Sequence, residues 1–263
     1  PAHLSAPSHT PLRLLTLARD LRRRKARETR NLFVCEGVRA VEELLRSPIA
    51  PTGILVAPQL LEAPRGAALR EAIRRSGCPV EEVAPRDFHT AAETDSPQGV
   101  IAIAPIPERS LDRVEPADGL RLLVLDAVQD PGNVGTILRT AAALGATATV
   151  ALPGTVDLWN AKVVRSAMGA LFHHPCMAAT WEDVDAFRRR SALALWVADA
   201  AGTPLGGAPA PSRLGLVVGN EGAGVSAEAR ARADRLVALP LDPIVESLNV
   251  AVAAGILLYE LRP

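Results

Sequence analysis

Residues 123–141 read LVLDAVQDPGNVGTILRTA and predict a strand, a turn and a helix in that order. The strand is the apolar start of the segment, and the Asp-Pro-Gly-Asn sequence of residues 130–133 is typical of a turn. Asn133 is a residue type that caps helices, so we expect the helix to begin at Val134. Arg139 is the one charged residue of that small, apolar helix. It is either a residue of the solvated helix edge or a cation aimed at an anion near the strand ends, and the residues alone leave both open.

The chain on either side of this segment alternates between strands and helices. Strands are predicted at 120–125, 147–152, 194–198, 214–218 and 236–239. Helical segments fall between them, at 134–144, 161–168, 181–190 and 227–233. Strands separated by helices indicate an α/β fold with a parallel sheet covered on both faces. The last helix, 248–261, is apolar nearly all round, so it must be buried on more than one side, in a core or a subunit interface.

The first hundred residues predict a smaller α/β domain. Its expected elements are a basic helix at 12–30, strands at 32–35, 54–56, near 80–83 and at 99–104, and helices at 38–46 and 65–75. Prolines mixed with charged residues then make 105–119 a predicted linker. We therefore expect an N-terminal domain at 1–107 and a C-terminal domain at 118–263.

Composition excludes several classes of protein. The chain is 48% hydrophobic and 22% charged, which fits a globular protein of one or two domains. Its longest apolar stretch, 250–259, is about half of what a membrane-spanning helix needs. The first residues, PAHLS, lack the pattern of a signal peptide. The three cysteines are scattered and form no CxxC pair, so we expect no disulfide framework, no structural zinc site and a cytoplasmic location.

The basic arm, residues 13–30, carries eight basic and two acidic residues, although the whole chain has a net charge of zero. Almost all of these cations are arginine, whose rigid fork of donors pairs with phosphate. The arm is either the solvated face of a surface helix or a binding segment for a polyanion, and charge alone does not separate the two.

Residues 216–226 read LVVGNEGAGVS and predict a strand that runs into a glycine-rich turn. Glycines allow a backbone to approach a ligand closely. The G-x-G-x-x-A pattern of residues 222–227 also matches the dinucleotide-binding fingerprint, which would make the protein an oxidoreductase. That fingerprint should open its domain, whereas here it lies near the end of the chain, and Glu221 would repel a pyrophosphate.

Residues 239–253 read LPLDPIVESLNVAVA and lead into the final helix. Ser247 is placed to cap that helix, and this reading is at least as good as a ligand-binding role. Asn249 is a poor helix former, so we expect its amide to have a polar partner, either a substrate or the backbone.

Taken together, these three segments resemble the SpoU (TrmH-type) branch of the SPOUT RNA methyltransferases. The matching residues lie in the three segments quoted above and in VRSAMGALF at 164–172. The resemblance covers 120–260, with all motifs in order. Residues 33–39, FVCEGVR, are similar more loosely to the substrate-binding domain, of the ribosomal protein L30e type, that accompanies this module in rRNA methyltransferases.

The resemblance implies a trefoil knot in the C-terminal domain, with S-adenosylmethionine held by the loops of the knot, and a homodimer. It implies transfer of a methyl group to a ribose 2′-hydroxyl, of a guanosine in 23S rRNA. Methylation of tRNA, RNA binding without catalysis and the NAD-dependent oxidoreductase remain as alternatives. Arg139 is expected to anchor phosphate and stabilise charge, because a guanidinium hardly deprotonates and is therefore a poor base.

Carried over residue by residue, the resemblance predicts three groups of site residues and no metal. The expected catalytic residues are Arg139, Asn133, Glu221, Ser247 and Asn249. The expected cofactor-binding residues are Leu195, Ala198, Gly219, Asn220, Gly222, Leu239, Leu241, Ser247 and Leu248. The expected RNA-binding residues are Arg22, Arg23, Arg24, Lys25, Glu36, Arg39 and Arg165.

Overall fold

A computed structural model describes residues 13–206 and 209–262. Residues 1–5, in which no signal peptide is expected, and Leu12, the first residue of the predicted basic helix, lie outside the described residues. The chain divides into two units, of which the first ends at Ile106 and the second begins at Pro107.

The first unit contains helices and strands in alternation. They are α1 (Leu14–Asp20), α2 (Arg24–Arg30), β1 (Leu32–Glu36), α3 (Val38–Arg46), β2 (Gly53–Val56), a 3₁₀ turn (Pro58–Leu61), α4 (Gly66–Ser76), β3 (Val80–Glu82), α5 (Pro85–Ala91) and β4 (Val100–Pro105). The strands form a mixed sheet in the order β1-β4-β2-β3, in which β4 is antiparallel to both β1 and β2.

The basic arm is two helices, so the prediction of one continuous helix over 12–30 is wrong. Arg23 has an extended backbone and separates α1 from α2. The Arg27 side chain is only 3% exposed and donates hydrogen bonds to the carbonyls of Leu21 and Arg22, both at 2.8 Å. A buried arginine therefore stabilises the break, and charge periodicity does not reveal it.

The second unit contains the parallel sheet. Its elements are a 3₁₀ turn (Leu111–Arg113), β5 (Arg121–Leu125), α6 (Pro131–Ala143), β6 (Ala148–Ala151), α7 (Ala161–Ser166), α8 (Ala170–His173), β7 (Cys176–Ala178), α9 (Trp181–Ser191), β8 (Ala194–Pro204), β9 (Leu214–Val218), α10 (Ala227–Arg232), β10 (Arg235–Ala238) and α11 (Val250–Glu260). The strand order is β10-β8-β9-β5-β6-β7, and every pair is parallel. The expected α/β fold is confirmed, while the knot stays a prediction.

The segment expected to be a linker belongs partly to the second unit. Leu111 and Val114 are buried in the same core as Trp181 and Phe187. Apolar side chains anchor this stretch even though its prolines and charges are typical of a linker.

Both predicted helix caps are displaced by a few residues. Helix α6 begins at Pro131, and its cap is Asp130, whose side chain accepts the backbone N–H of Asn133. Proline at the first helical position has a preset backbone angle and no N–H to satisfy, which moves the start upstream of Asn133. Helix α11 is capped by Asn249 and not by Ser247. Asn133 is therefore not the cap that was expected, whereas Asn249 has the polar partner that was expected for it, the backbone N–H of Ala251.

Helix α11 is only partly buried. Ala254 and Leu257 lie in the core, whereas Val252, Ile256 and Tyr259 form an exposed apolar stripe with exposed fractions of 51%, 40% and 52%. Within the described residues, no helix is long and apolar enough to cross a membrane.

Candidate active site

A cavity of about 570 Å³ opens at the carboxyl ends of β9 and β10, beside residues 198–200 in the middle of β8. This edge of a parallel sheet is where α/β proteins bind ligands, and the volume is that of a small-molecule site. Its lining includes most of the cofactor-binding residues predicted from the resemblance: Ala198, Gly219, Asn220, Gly222, Leu239, Leu241, Ser247 and Leu248. Leu195 is instead fully buried in the apolar core under the sheet, and it is not among the lining residues.

The glycine-rich turn forms one wall of the cavity. A Cβ on Gly219 would lie 2.4 Å from the backbone carbon of Gly224, so only glycine fits there. Asn220 fixes the turn, because its Oδ1 accepts the N–H groups of Gly222 and Ala223, both at 2.9 Å. Its Nδ2 donates to the carbonyl of Ala127 at 2.9 Å and thereby ties the turn to the end of β5.

A bulge in β8 forms the opposite wall. The pairing between β10 and β8 shifts from Leu236↔Val197 to Val237↔Thr203, which leaves residues 198–202 outside the regular ladder. Bulges of this kind re-aim side chains beside functional sites. Asp199 lies in this bulge, and its carboxylate accepts hydrogen bonds from Arg230 Nε at 2.6 Å and from the N–H of Ala201 at 2.9 Å.

A chain of hydrogen bonds joins the three segments that were singled out in the sequence. Asn249 Nδ2 donates to Asn133 Oδ1 at 3.0 Å, and Asn133 Nδ2 donates to Glu221 Oε1 at 3.0 Å. The Glu221 carboxylate also accepts the backbone N–H groups of Asp130 at 3.0 Å and Gln129 at 3.2 Å. Glu221 lines the cavity and Asn133 and Asn249 do not, so this chain of hydrogen bonds, the polar relay, connects two distant segments to the rim of the cavity at Glu221.

Two of the carboxylates that line the cavity, those of Glu221 and Asp199, have lowered pKa values and stay ionised at neutral pH. Burial raises the pKa of Glu221, but hydrogen bonds from Asn133 and from backbone N–H groups outweigh it, and the pKa falls below its ordinary value. The pKa of Asp199 is also lowered, first by the N–H of Ala201 and then by Arg230. Glu221 is therefore an ionised acceptor that organises the rim, and its negative charge remains unfavourable for a pyrophosphate at this turn.

Arg139 does not line the cavity of its own chain. It is exposed on α6, and its guanidinium has no hydrogen-bond or ion-pair partner within residues 13–206 and 209–262. Its neighbour Thr140 faces α11, since a Cβ on Gly255 would lie 3.3 Å from Thr140 Cγ2. Arg139 is thus a free cation on α6, next to the residue that contacts α11.

The predicted RNA-binding residues fall into exposed and buried sets. Lys25 and Arg39 are exposed, and so are Arg22, Arg23 and Arg24. These three arginines donate hydrogen bonds to the carbonyl of Thr90, to Asp20 and to Glu28, respectively. Arg165 is half-buried, and its Nη1 has no hydrogen-bond partner in the described part of the chain.

Glu36 was predicted to bind RNA, but the structure buries it. It is 5% exposed, and its carboxylate accepts hydrogen bonds from the N–H of Glu93 and the hydroxyl of Thr94. Both oxygens are therefore used inside the protein, and the side chain offers nothing to RNA.

Two charged residues of the cavity escaped the sequence reasoning. Asp199 follows the predicted strand 194–198 directly, at the carboxyl end where ligands bind, and that position was the available signal. No signal in the sequence pointed to Arg230, because its position beside Asp199 depends on the bulge in β8. No group of three or more His, Cys, Asp or Glu residues in the described ranges could hold a metal ion.

Comparisons with known proteins agree with this architecture. The model of the SpoU rRNA Methylase family matches residues 121–259, and that of the MRM3-like substrate binding domain matches residues 16–102. The chain is 37% identical to the 23S rRNA (guanosine(2553)-2′-O)-methyltransferase RlmP of Bacillus subtilis, over 93% of this chain and 94% of that protein. It is also 37% identical to the 23S rRNA (guanosine-2′-O-)-methyltransferase RlmB of Ralstonia nicotianae, over 64% of this chain and 70% of that protein.

Two solved structures are similar over nearly the whole chain. The SpoU methyltransferase AviRb from Streptomyces viridochromogenes, in complex with AdoMet, has a TM-score of 0.83 at 28% identity and covers 95% of this chain and 96% of its own. An AdoMet-bound rRNA methyltransferase from Sinorhizobium meliloti has a TM-score of 0.81 at 28% identity, with 97% and 95% covered. With the family model matched across the parallel-sheet unit and a relative aligned over almost its full length, this chain belongs to the SpoU rRNA methylase family.

Proposed function

We propose that the protein transfers a methyl group from S-adenosylmethionine to the 2′-hydroxyl of a guanosine in 23S rRNA. The observation that carries the proposal is the polar relay Glu221–Asn133–Asn249, which brings three separate segments to the rim of one cavity. The relatives named above act on guanosine of 23S rRNA, and two structural neighbours bind AdoMet.

The cavity fits this cofactor. Gly219 leaves its wall open to a ligand because any larger residue would collide with Gly224. Leu239 and Leu248 offer apolar surface to an adenine, and backbone groups of the three loops offer hydrogen bonds. When bound, S-adenosylmethionine supplies a methyl group that is already activated on a sulfonium.

The residues of the rim orient the substrate. The protein mainly has to align the ribose hydroxyl, since positioning alone contributes a large part of such a rate enhancement. Asn133 and Asn249 are held by each other and by Glu221, which fixes the rim before substrate arrives. Ser247 lines the cavity, and its hydroxyl is free to contact the ligand, because Asn249 caps α11 in its place.

Arg139 anchors a phosphate of the RNA and stabilises charge, and the proton of the hydroxyl leaves to water or phosphate. A guanidinium stays protonated, so it cannot take that proton. Arg139 is exposed and unpaired in the described part of the chain, as expected of a residue that awaits an anion.

The active form is a homodimer, in which the apolar stripe of α11 packs against a second copy. Val252, Ile256 and Tyr259 leave an apolar surface that a stable monomer rarely exposes. Arg139 lies on α6 next to Thr140, which faces α11, and this position supports the proposal that Arg139 completes the site of the partner. Ile256→Glu is expected to yield monomers in size-exclusion chromatography with light scattering.

Mixed dimers test this assignment of Arg139. Copies carrying Arg139→Ala are expected to be inactive, and copies carrying Asn249→Ala are expected to retain at most about a tenth of the activity, but each supplies what the other lacks. A refolded equimolar mixture should regain roughly a quarter of the wild-type activity, since half of the dimers are mixed and hold one complete site. No recovery would place Arg139 in the site of its own chain.

The first unit binds rRNA through the exposed cations of the basic arm and Arg39, and the protein works in the reducing cytoplasm. Its three cysteines are free thiols, which suits that compartment.

The function is tested with S-adenosylmethionine carrying a tritiated methyl group and with unmodified 23S rRNA. Label is expected in the RNA, at a dinucleotide that resists alkali, because a 2′-O-methyl group blocks cleavage of the neighbouring phosphodiester. Arg139→Ala should bind the cofactor without transferring label. Label in an alkali-sensitive nucleotide, in tRNA alone, or not at all would contradict the proposal.

A further inference from the structure

Arg230 and Asp199 form an ion pair in the wall of the cavity that the proposed mechanism does not use. Arg230 Nε donates to Asp199 Oδ2 at 2.6 Å, and the Asp199 side chain is 9% exposed. The Arg230 side chain is 45% exposed. Its Nη2 lies 3.9 Å from the position that a Cβ on Gly224 would take, so the guanidinium reaches over the glycine-rich turn.

The pair leaves the outer edge of the guanidinium free. Asp199 occupies Nε, and the Nη1 and Nη2 groups have no hydrogen-bond or ion-pair partner in the described residues. Two parallel N–H groups on a planar cation are the geometry that binds a carboxylate in bidentate fashion. The pair therefore presents a preoriented site for an anion at the cavity wall.

The charges of the cavity match those of the proposed cofactor. Among its described lining residues Arg230 is the only cation, beside three carboxylates: Asp199, Glu221 and Glu246. S-adenosylmethionine has one anionic group, its α-carboxylate, and two cationic ones, the sulfonium and the ammonium. One cation for one anion is the complementarity that discriminates a ligand.

We propose that Arg230, oriented by Asp199, binds the α-carboxylate of the methionyl part of S-adenosylmethionine. The inference rests on the proposed function, since it assigns a residue to the same cofactor cavity. Arg230 is a binding residue, while Asp199 is a positioning residue that acts through it. An isolated arginine on a surface helix would sample many rotamers, and the short hydrogen bond that Arg230 donates to Asp199 removes that freedom before the ligand arrives.

Isothermal titration calorimetry with two ligands isolates this contact. S-adenosylmethionine and decarboxylated S-adenosylmethionine share the sulfonium, the ammonium and the nucleoside, and differ in the carboxylate alone. The wild-type protein should bind the complete cofactor about tenfold or more tightly than the decarboxylated one, the range expected for a charge-assisted bond. Arg230→Gln should lower affinity for the complete cofactor by a similar factor and leave affinity for the decarboxylated one within about twofold.

Three further variants complete the test. Arg230→Lys keeps the cation and should recover part of the preference, and Asp199→Asn should lose part of it. Arg232→Gln is the matched control: this arginine lies on the same helix, pairs with Asp185 and does not line the cavity. It should retain the full wild-type preference. Melting curves identify variants that fail to fold.

The outcomes separate this proposal from the one it depends on. If the wild-type protein binds neither ligand, the cofactor site itself is wrong. If it binds both equally, or if Arg230→Gln weakens both by the same factor, the cavity is right and Arg230 does not bind the carboxylate. The wild-type ratio decides the carboxylate contribution even if every variant proves unstable.

Discussion

Substitutions at Asn249 separate two roles of one side chain. Its Oδ1 caps α11 by accepting the N–H of Ala251 at 2.9 Å, and its Nδ2 donates to Asn133 in the polar relay. Asn249→Ala removes both contacts. Asn249→Asp keeps the cap, because aspartate caps helices as well as asparagine does. It also turns a second acceptor oxygen toward Asn133 Oδ1, so the relay is broken.

The two variants should differ in stability and agree in activity. Loss of a cap costs about 1 kcal/mol, and loss of a neutral hydrogen bond at this exposed position costs about 0.5 kcal/mol. We therefore expect Asn249→Ala to lower the free energy of unfolding by about 1.5 kcal/mol and Asn249→Asp by about 0.5 kcal/mol. Methyl transfer should fall by about tenfold or more in both, because a misplaced rim group loses the alignment of the hydroxyl.

Urea denaturation and methyl incorporation at saturating cofactor measure the two effects. Both variants should retain cofactor affinity, since Asn249 does not line the cavity. Full activity in Asn249→Asp would refute the catalytic role of the relay, whatever its stability. Equal stability of Asn249→Ala and the wild type would show instead that the cap contributes nothing.

Three further predictions concern the cavity and the basic arm. Gly219→Ala should abolish cofactor binding in calorimetry, because its Cβ would lie 2.4 Å from the backbone of Gly224, whereas Gly222→Ala, with its nearest atom at 3.8 Å, should bind normally. Glu221 has a lowered pKa, so its carboxylate stabilises the fold at pH values above its ordinary pKa of 4.5, and this stabilisation is lost as the pH falls through the folded-state pKa. In acid titrations, the difference in stability between the wild type and Glu221→Gln should shrink in that pH range. Charge reversal of three exposed arginines of the arm, Arg22, Arg23 and Arg24, should make the affinity for RNA depend less steeply on salt concentration. An unchanged salt dependence would show that the arm does not belong to the RNA interface.

The order of strands and helices was readable from the sequence because buried strands and amphipathic helices have different periodicities. The prediction for α3, 38–46, agrees with the structure residue for residue, and that for β9, 214–218, does too. Helix α5 and strand β7 were missed, since β7 spans only Cys176–Ala178 and α5 carries its one large apolar anchor, Phe88, in a polar segment. Short elements of this kind are stabilised by tertiary packing and leave little periodic signal.

Buried polar residues were the main source of error in the sequence reasoning. Arg27 and Glu36 look like surface charges in the sequence, yet each is buried by specific backbone partners that lie outside its own helix or strand. A charge is buried only where several groups converge on it, and convergence is a property of the fold. Residue type alone therefore could not separate these two from the exposed cations of the arm.

The sequence motifs contain many residues of the candidate site, but the hydrogen bonds between the motifs could not be predicted, and strand order explains the difference. Glu221 follows β9 and Gln129 follows β5, and the two meet only because β9 lies beside β5 in the sheet. Asn249 reaches Asn133 because α11 packs against α6, a contact made by residues more than a hundred positions apart. Local periodicity contains neither fact. A single carboxylate between neighbouring strand ends, that of Glu221, therefore joins three motifs into one preorganised rim, although each motif alone had an ordinary turn or cap interpretation. Glutamine or alanine at residue 221 would not reproduce the two acceptor oxygens on which this arrangement depends.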